Sequence, residues 1–299
     1  MTDKVVLLPE WLNPPTLTGL SYSNYDNGQP RPEPEVLAQV NYYVPPYLCE
    51  WSDIELAQQM PNLEVLQTLT AGVEGIQEIL SPRVRLVRAA GVHDTSTAEL
   101  TVGLIIASQR GIDIAARDLP AGVWRHERRR TLADSRIAIV GWGPVAQAIA
   151  ARLAPFEAEV TAFSRSASGG AKSLIEFDRD LAHFDIVILV LPLTPQTTGF
   201  LGPKRLAQLQ DGALVVNVGR GPLVDTAALT AETTAGRLRA ALDVTDPEPL
   251  PPDHPLWQAP GVLITPHLGG NSEAFPPRAR RFVAEQLRGY AAQQSPPGR

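Results

Sequence analysis

Arg136-Ile-Ala-Ile-Val140 runs directly into Gly141-Trp-Gly-Pro-Val-Ala146, and this junction decides the fold. The β-branched run predicts a buried strand. Gly141 permits a tight turn, Gly143 lets backbone approach a pyrophosphate with no Cβ in the way, and Ala146 is small enough for close helix–strand packing. Val145–Leu153 suits a helix, whose first turn offers unpaired N–H groups and a partial positive charge to phosphates. Strand, glycine turn and helix in that order form a dinucleotide-binding fingerprint.

Working outward, strands are expected at Glu159–Phe163, Ile186–Leu191, Leu214–Val218, Ala240–Leu242 and Val262–Thr265, with helices between them. Ile186–Leu191 is continuously apolar, as a parallel strand covered on both faces must be. The alternation predicts a doubly wound parallel (Rossmann) sheet. Upstream, one helix is expected over Thr97–Ala116, capped by Asp94, Thr95 or Ser96. Before it, strands at Val5–Leu8, Val40–Val44, Val65–Thr70 and Arg83–Ala89 alternate with short helices near Ile54–Gln59 and Val73–Leu80, which reads as a smaller α/β domain. Residues 13–35 hold no sustained period and read as loop-rich. An amphipathic helix is expected at Ala279–Ala292, followed from Gln293 by the composition of a frayed end.

The 299 residues are 44% apolar and 19% charged, a globular composition that excludes a disordered chain. A net charge of −6 provides no global field for nucleic acid or an anionic membrane, so neither is expected as a partner. Trp124-Arg-His-Glu-Arg-Arg-Arg130 is a local exception, read as a solvated or interface segment because Glu127 interrupts it. Cys49 is the single cysteine, which excludes an internal disulfide or Cys-rich metal cage and fits a reducing compartment. No segment has the roughly 18–20 apolar residues a membrane span needs. A soluble, cytoplasmic protein is the expectation.

The second strand of such a fold usually ends in an acid that holds the ribose 2′-hydroxyl of NAD. Here Val160-Thr-Ala-Phe163 leads into Ser164-Arg165-Ser166, with no acid. A guanidinium and two hydroxyls suit a 2′-phosphate, so NADP(H) is the expected cofactor, with NAD(H) possible.

Several ordered motifs resemble the D-isomer-specific 2-hydroxyacid dehydrogenase family. They are Ala71-Gly-Val-Glu-Gly-Ile76, Ser96-Thr-Ala-Glu-Leu100, the glycine turn, Leu191-Pro-Leu-Thr-Pro-Gln-Thr197, Asn217-Val-Gly-Arg-Gly221, Asp243-Val-Thr-Asp-Pro-Glu-Pro249 and Thr265-Pro-His-Leu-Gly-Gly270. The Asp243–Pro252 stretch looks most like the glyoxylate/hydroxypyruvate reductase branch. The resemblance implies Arg220, Glu248 and His267 as catalytic residues. Their chemistry agrees. Arg220 presents a planar fork of donors to a 2-keto acid's carboxylate. His267 can exchange a proton near neutrality. Glu248, bonded to the second ring nitrogen, would orient the imidazole and stabilise its charged form. No metal is required.

The resemblance also places Gly72 and Val73 on the substrate carboxylate, Pro144 and Val145 beside the pyrophosphate, and Leu191 and Pro192, closing the fourth strand, under the adenosine. Val218, Gly219, Asp243, Gly269 and Gly270 would approach the nicotinamide, Asp243 near its carboxamide, with Thr97 in the same region. It implies a discontinuous substrate domain, residues 1–96 with 272–299, around a cofactor domain of 97–271, hinged near Ser96 and Asn271. It implies a homodimer through helices near Leu100–Trp124. Between residues 1 and 82 only Lys4 and Arg31 are basic, against eleven acids, which favours an unphosphorylated acid such as glyoxylate or hydroxypyruvate. The alternatives are a D-3-phosphoglycerate dehydrogenase and a non-catalytic dinucleotide-sensing binding protein.

Overall fold

A computed structural model describes residues 3–294, and the expected frayed tail beyond Gln294 lies outside them. The chain divides into two compact units, one ending at His93 and resuming at Glu273, the other spanning Asp94–Ser272.

The first unit carries β1 (Lys4–Leu8), β2 (Leu20–Asn24), β3 (Val40–Tyr43), β4 (Val65–Gln67) and β5 (Arg85–Val87), all parallel in the order β2-β1-β3-β4-β5. Its short helices are α1 (Pro34–Leu37), α2 (Trp51–Ile54) and α3 (Ile76–Ile79). A strand therefore stands inside the stretch expected to be loop-rich. β2 pairs only with β1, and its Leu-Ser-Tyr-Ser-Asn sequence buries little beyond Leu20, so its apolar signal is weak. The expected helix at Ile54–Gln59 is instead α2 followed by a 3₁₀ turn, and that at Val73–Leu80 shrinks to α3.

The second unit carries α4 (Asp94–Arg110), α5 (Ile112–Asp118), β6 (Arg136–Val140), α6 (Pro144–Leu153), β7 (Glu159–Ser164), β8 (Lys172–Ser173), α7 (Leu174–Asp180), β9 (Ile186–Leu189), α8 (Pro203–Gln208), β10 (Leu214–Asn217), α9 (Thr226–Thr234), β11 (Arg239–Leu242) and β12 (Val262–Ile264). Its seven parallel strands run β12-β11-β10-β9-β6-β7-β8, the doubly wound order with the reversal between β6 and β9. Alternate residues serve opposite faces. Ile137, Ile139, Ile186, Ile188, Leu214 and Val216 join one core with Ala98, Leu104, Ile105 and Ile149, while Ala138, Val140, Val187, Leu189 and Val215 join the other with Phe177, Leu206 and Leu229. Each such aliphatic or aromatic side chain contributes about 1.5–3 kcal/mol when fully buried, which is why these strands read as unbroken apolar runs.

The helix expected over Thr97–Ala116 is broken in two. Gly111 adopts φ +67°, and a Cβ there would lie 2.9 Å from Arg129 Nε, so the chain turns and Arg129 fills the space. Arg239, at the start of β11, donates to Ser108 O, Gln109 Oε1 and Gly212 O, closing the last turn of α4. Burial, with Arg130 nearby, pulls its guanidinium down to about 10. The two ends of the unit are tied, with Ser96 Oγ 2.6 Å from Ser272 Oγ.

In the first unit, α10 (Phe275–Gln294) begins four residues earlier than expected. Pro276 and Pro277 fall in its first turn, where a missing N–H costs no helical bond. Gln293 and Gln294 are still helical. Phe275, Ala279, Val283, Leu287 and Tyr290 pack this helix into the core that includes Val6, Leu8 and Tyr42.

Candidate active site

Gly141 follows β6 with φ +107°, and a Cβ on it would stand 2.5 Å from Val190 O. Only glycine fits where the ends of β6 and β9 approach at the sheet's reversal. A Cβ on Gly143 would meet nothing within 4 Å, so the backbone there borders open space. Pro144 occupies the first turn of α6, and Ala146 is fully buried beneath it. This cradle of backbone, open side and helix N-terminus fits a pyrophosphate. Leu191 and Pro192 stand beyond β9, which ends at Leu189 rather than at Leu191. Pro192 O accepts from Thr197 Oγ1 at 2.8 Å.

The loop after β7 holds Ser164, Arg165 and Ser166. Arg165 and Ser166 are exposed, whereas the Ser164 hydroxyl is buried and makes no hydrogen bond. Trp142, between the two glycines, donates from its indole to Gly169 O at 2.6 Å.

At the carboxyl end of β10, Asn217 is 1% exposed and organises the turn that presents Arg220. Its Nδ2 donates to Arg220 O at 2.8 Å and its Oδ1 accepts from Gly219 N at 3.1 Å. Val218 and Gly219 are buried, and a Cβ on Gly219 would crowd Leu223 Cδ1 at 2.8 Å. Gly221 packs so tightly on Thr245 and Asp246 that a Cβ would fall 1.8 Å from Thr245 O. The Arg220 turn and the loop bearing Glu248 are thereby locked together. That loop is further held by Thr226 Oγ1 donating to Asp246 O and Thr245 Oγ1 to Pro247 O, each at 2.9 Å.

Asp243 directly follows β11 and is 2% exposed. Its Oδ1 accepts from Thr265 Oγ1 at 2.6 Å and Leu268 N at 2.8 Å, its Oδ2 accepts from Gly269 N at 2.8 Å, and its carbonyl accepts from His267 N at 2.9 Å. One residue thus clamps the whole turn after β12. His267 sits in that turn at φ +52°, a left-handed backbone uncommon outside glycine. A Cβ on Gly269 would lie 2.9 Å from Asp243 Oδ2 and 3.3 Å from Thr97 Cγ2, so the clamp closes only over glycine. Gly270 follows, half-buried.

His267 Nδ1 lies 2.5 Å from Glu248 Oε1. The hydrogen bond raises the imidazole's pKa above its ordinary value against the opposing pull of burial, with the Glu248 and Asp243 charges adding to it and Arg220 subtracting. The same bond lowers Glu248, and Arg220 lowers it further. Arg220, Glu248 and His267, from the ends of three neighbouring strands, therefore share one electrostatic neighbourhood at the edge where doubly wound sheets bind ligands. Gly72 and Val73 lie in the first unit, after β4, where Thr70 Oγ1 donates to Gly72 O at 3.0 Å. Asn217, Thr245 and Thr265 fall within the quoted motifs, yet nothing in the sequence assigns them a role. Their signal is a polar side chain at or just beyond a strand's carboxyl end.

A family model described as D-isomer specific 2-hydroxyacid dehydrogenase, NAD binding domain, matches residues 102–269, more than half of the chain. The chain belongs to this family. It is 34% identical over 224 residues, 71% of this chain and 73% of the other, to a protein of Corynebacterium melassecola described only by its position 3′ of proB. It is 30% identical over 260 residues to a glyoxylate reductase of Thermofilum pendens, covering 82% of this chain and 77% of that one. A 2-hydroxyacid dehydrogenase of Xanthobacter autotrophicus, solved with NADPH and MES, superposes with a TM-score of 0.79 at 28% identity, over 99% of this chain and 96% of the other. The chain spans about half the length, 46%, of the matched D-3-phosphoglycerate dehydrogenases.

Replacing Asp243 with Asn puts an amide NH₂ against at least one loop donor and removes the charge the other bonds rely on. Asp243→Asn is expected to cost roughly 1.5–3 kcal/mol, read as a lower urea midpoint. An unchanged midpoint would mean the turn stands without the carboxylate.

Proposed function

We propose that this protein reduces small, unphosphorylated 2-keto acids, such as glyoxylate or hydroxypyruvate, to D-2-hydroxy acids with NADPH. The observation that carries the reading is the 2.5 Å His267–Glu248 pair with the Arg220 charge beside it, at the ligand-binding edge of a nucleotide-binding sheet. When bound, the nicotinamide supplies the hydride. Arg220 holds the substrate carboxylate and fixes the carbonyl's orientation. His267 protonates the carbonyl oxygen as negative charge develops there. With Nδ1 engaged by Glu248, Nε2 is the nitrogen left to carry that proton. Glu248 orients the ring and stabilises its charged form. The Gly141–Val145 cradle receives the pyrophosphate. Leu191 and Pro192 support the adenosine, and Val218, Gly219, Asp243, Gly269 and Gly270 border the nicotinamide. The resemblance adds Gly72 and Val73 of the first unit as candidate donors to the substrate carboxylate.

Reduction needs the protonated imidazole. Because the folded pKa of His267 is raised, kcat/KM for keto-acid reduction is expected to be full at low pH and to fall only as pH passes that raised value. Glu248→Gln should move this fall to lower pH. His267→Ala should lower kcat by about 10²–10⁴-fold. An unmoved pH profile in Glu248→Gln, or full activity in His267→Ala, would overturn these roles. No turnover of either keto acid by the wild type would favour the dinucleotide-sensing alternative. A far higher kcat/KM with 3-phosphohydroxypyruvate would favour the phosphoglycerate alternative.

The NADPH preference rests on Arg165, Ser164 and Ser166 where an NAD site places an acid. Arg165→Ala is expected to lower kcat/KM for NADPH about tenfold or more and leave NADH nearly unchanged. A wild type that uses NADH as well as NADPH would overturn the preference.

We infer a homodimer through the α4–α5 face and the segment after it. Leu119 and Trp124 are 78% and 93% exposed there, flanking a groove of about 770 Å³ edged by arginines and by Asp118 and Glu127. Light scattering at micromolar concentration should give twice the chain mass, and a monomer would overturn this.

A further inference from the structure

The loop between β7 and β8 contains no acid. From Val160 to Ile175 its ionisable residues are Arg165 and Lys172, with Ser164, Ser166, Ser168 and Ser173 among them. Its internal bonds are short-range: Ala167 N to Ser164 O, Ala171 N to Ser168 O, and the Ser166 and Ser168 hydroxyls 2.8 Å apart. Ala167, Gly169 and Gly170 all have positive φ, so the backbone coils into consecutive tight turns. The loop's ends are tied to the sheet, Phe163 pairing Lys172 and Ser164 pairing Ser173, with Gly141 N donating to Phe163 O at 2.8 Å, but nothing in those bonds fixes where its tip stands relative to the phosphate cradle.

Trp142 does. It occupies the position between the two glycines of that cradle, and its indole N–H reaches across 27 residues to Gly169 O at 2.6 Å. A Cβ on Gly169 would stand 3.4 Å from the indole, so the two backbones are in contact through the ring. Trp142 is itself partly buried and packs against the core that includes Ala146 and Ile149. A rigid side chain anchored in the cradle thus carries the loop.

We propose that Trp142 is the positioning residue of the cofactor's 2′-phosphate subsite, holding the Arg165–Gly170 loop at a fixed distance from the pyrophosphate cradle. The consequence is selectivity. A dinucleotide bearing a 2′-phosphate spans cradle and loop together, so ordering the loop in advance lowers the entropy lost on binding it. A dinucleotide lacking that phosphate gains little from the loop and is indifferent to its order. The inference rests on the NADPH reading above.

The test is calorimetric titration of NADP⁺ and NAD⁺, without substrate, into the wild type, Trp142→Phe and Arg165→Ala. Phenylalanine keeps an aromatic ring and deletes the N–H donor together with the pyrrole edge that faces Gly169. Trp142→Phe is expected to weaken NADP⁺ about three- to tenfold, the range for one lost hydrogen bond, and to change NAD⁺ less than twofold. Amide hydrogen exchange over residues 165–171 should speed up in the same variant. A wild type that binds NAD⁺ as tightly as NADP⁺ overturns the cofactor reading and this proposal with it. A wild type that prefers NADP⁺, with Trp142→Phe keeping the same ratio, overturns this proposal alone. So does equal weakening of both cofactors, which would confine Trp142 to the glycine turn.

Discussion

The site depends on one buried carboxylate. Asp243 takes three hydrogen bonds from the turn that follows β12, and its own carbonyl takes a fourth from His267. A left-handed backbone at a non-glycine residue is unfavourable by itself and persists only where its surroundings over-determine it. Here they do, and the imidazole is delivered to Glu248 by backbone geometry rather than by side-chain rotamer choice alone. After the Glu248 hydrogen bond and charge, the Asp243 charge also raises the imidazole's pKa. Glu248 remains the main cause of the raised proton affinity, so Asp243 sets the position of the ring and only adds to its charge preference.

A second constraint is steric. Gly141, Gly219, Gly221 and Gly269 each stand where a Cβ would crowd another loop, at Val190, Leu191, Thr245 and Asp243 respectively. These contacts link the carboxyl ends of successive strands into one layer. At Gly141 and Gly221 the opposing atoms are backbone, which yields far less than a flexible side chain, whereas at Gly219 and Gly269 the nearest are side-chain atoms of Leu223 and Asp243. Gly143 differs, since its missing Cβ opens onto space. The glycine pattern therefore separates packing positions from the position kept clear for a ligand.

Much of this was legible in the sequence. Parallel strands covered on both faces must be apolar throughout, so Ile186–Leu191 and Leu214–Val218 stand out, the strands themselves ending at Leu189 and Asn217, and the strand–turn–helix context makes Gly141-x-Gly143 informative. Arg220, Glu248 and His267 came from ordered motifs, and their setting at strand ends agreed with elementary acid–base chemistry. What escaped was either weakly patterned or long-range. β2 is an edge strand rich in serine, β8 is two residues long, and Gly111 interrupts a helix whose apolar period continues through it. The bonds of Asn217, Asp243 and Thr265 join loops that the folded chain alone brings together. The contact from Trp142 to Gly169 is of the same kind, because tryptophan at the middle of a glycine turn reads first as bulk, and its one polar atom has no visible partner until the chain is folded.

The two hydroxyls that meet at Ser96 and Ser272 have a broader implication. A segment of 177 residues, counting both serines, that starts and finishes at a single spot behaves, topologically, as a cassette threaded into a host chain. Joining the flanks of such a cassette, or sealing its own ends into a ring, would require only a short bridge of covalent chain, at small cost in closure entropy.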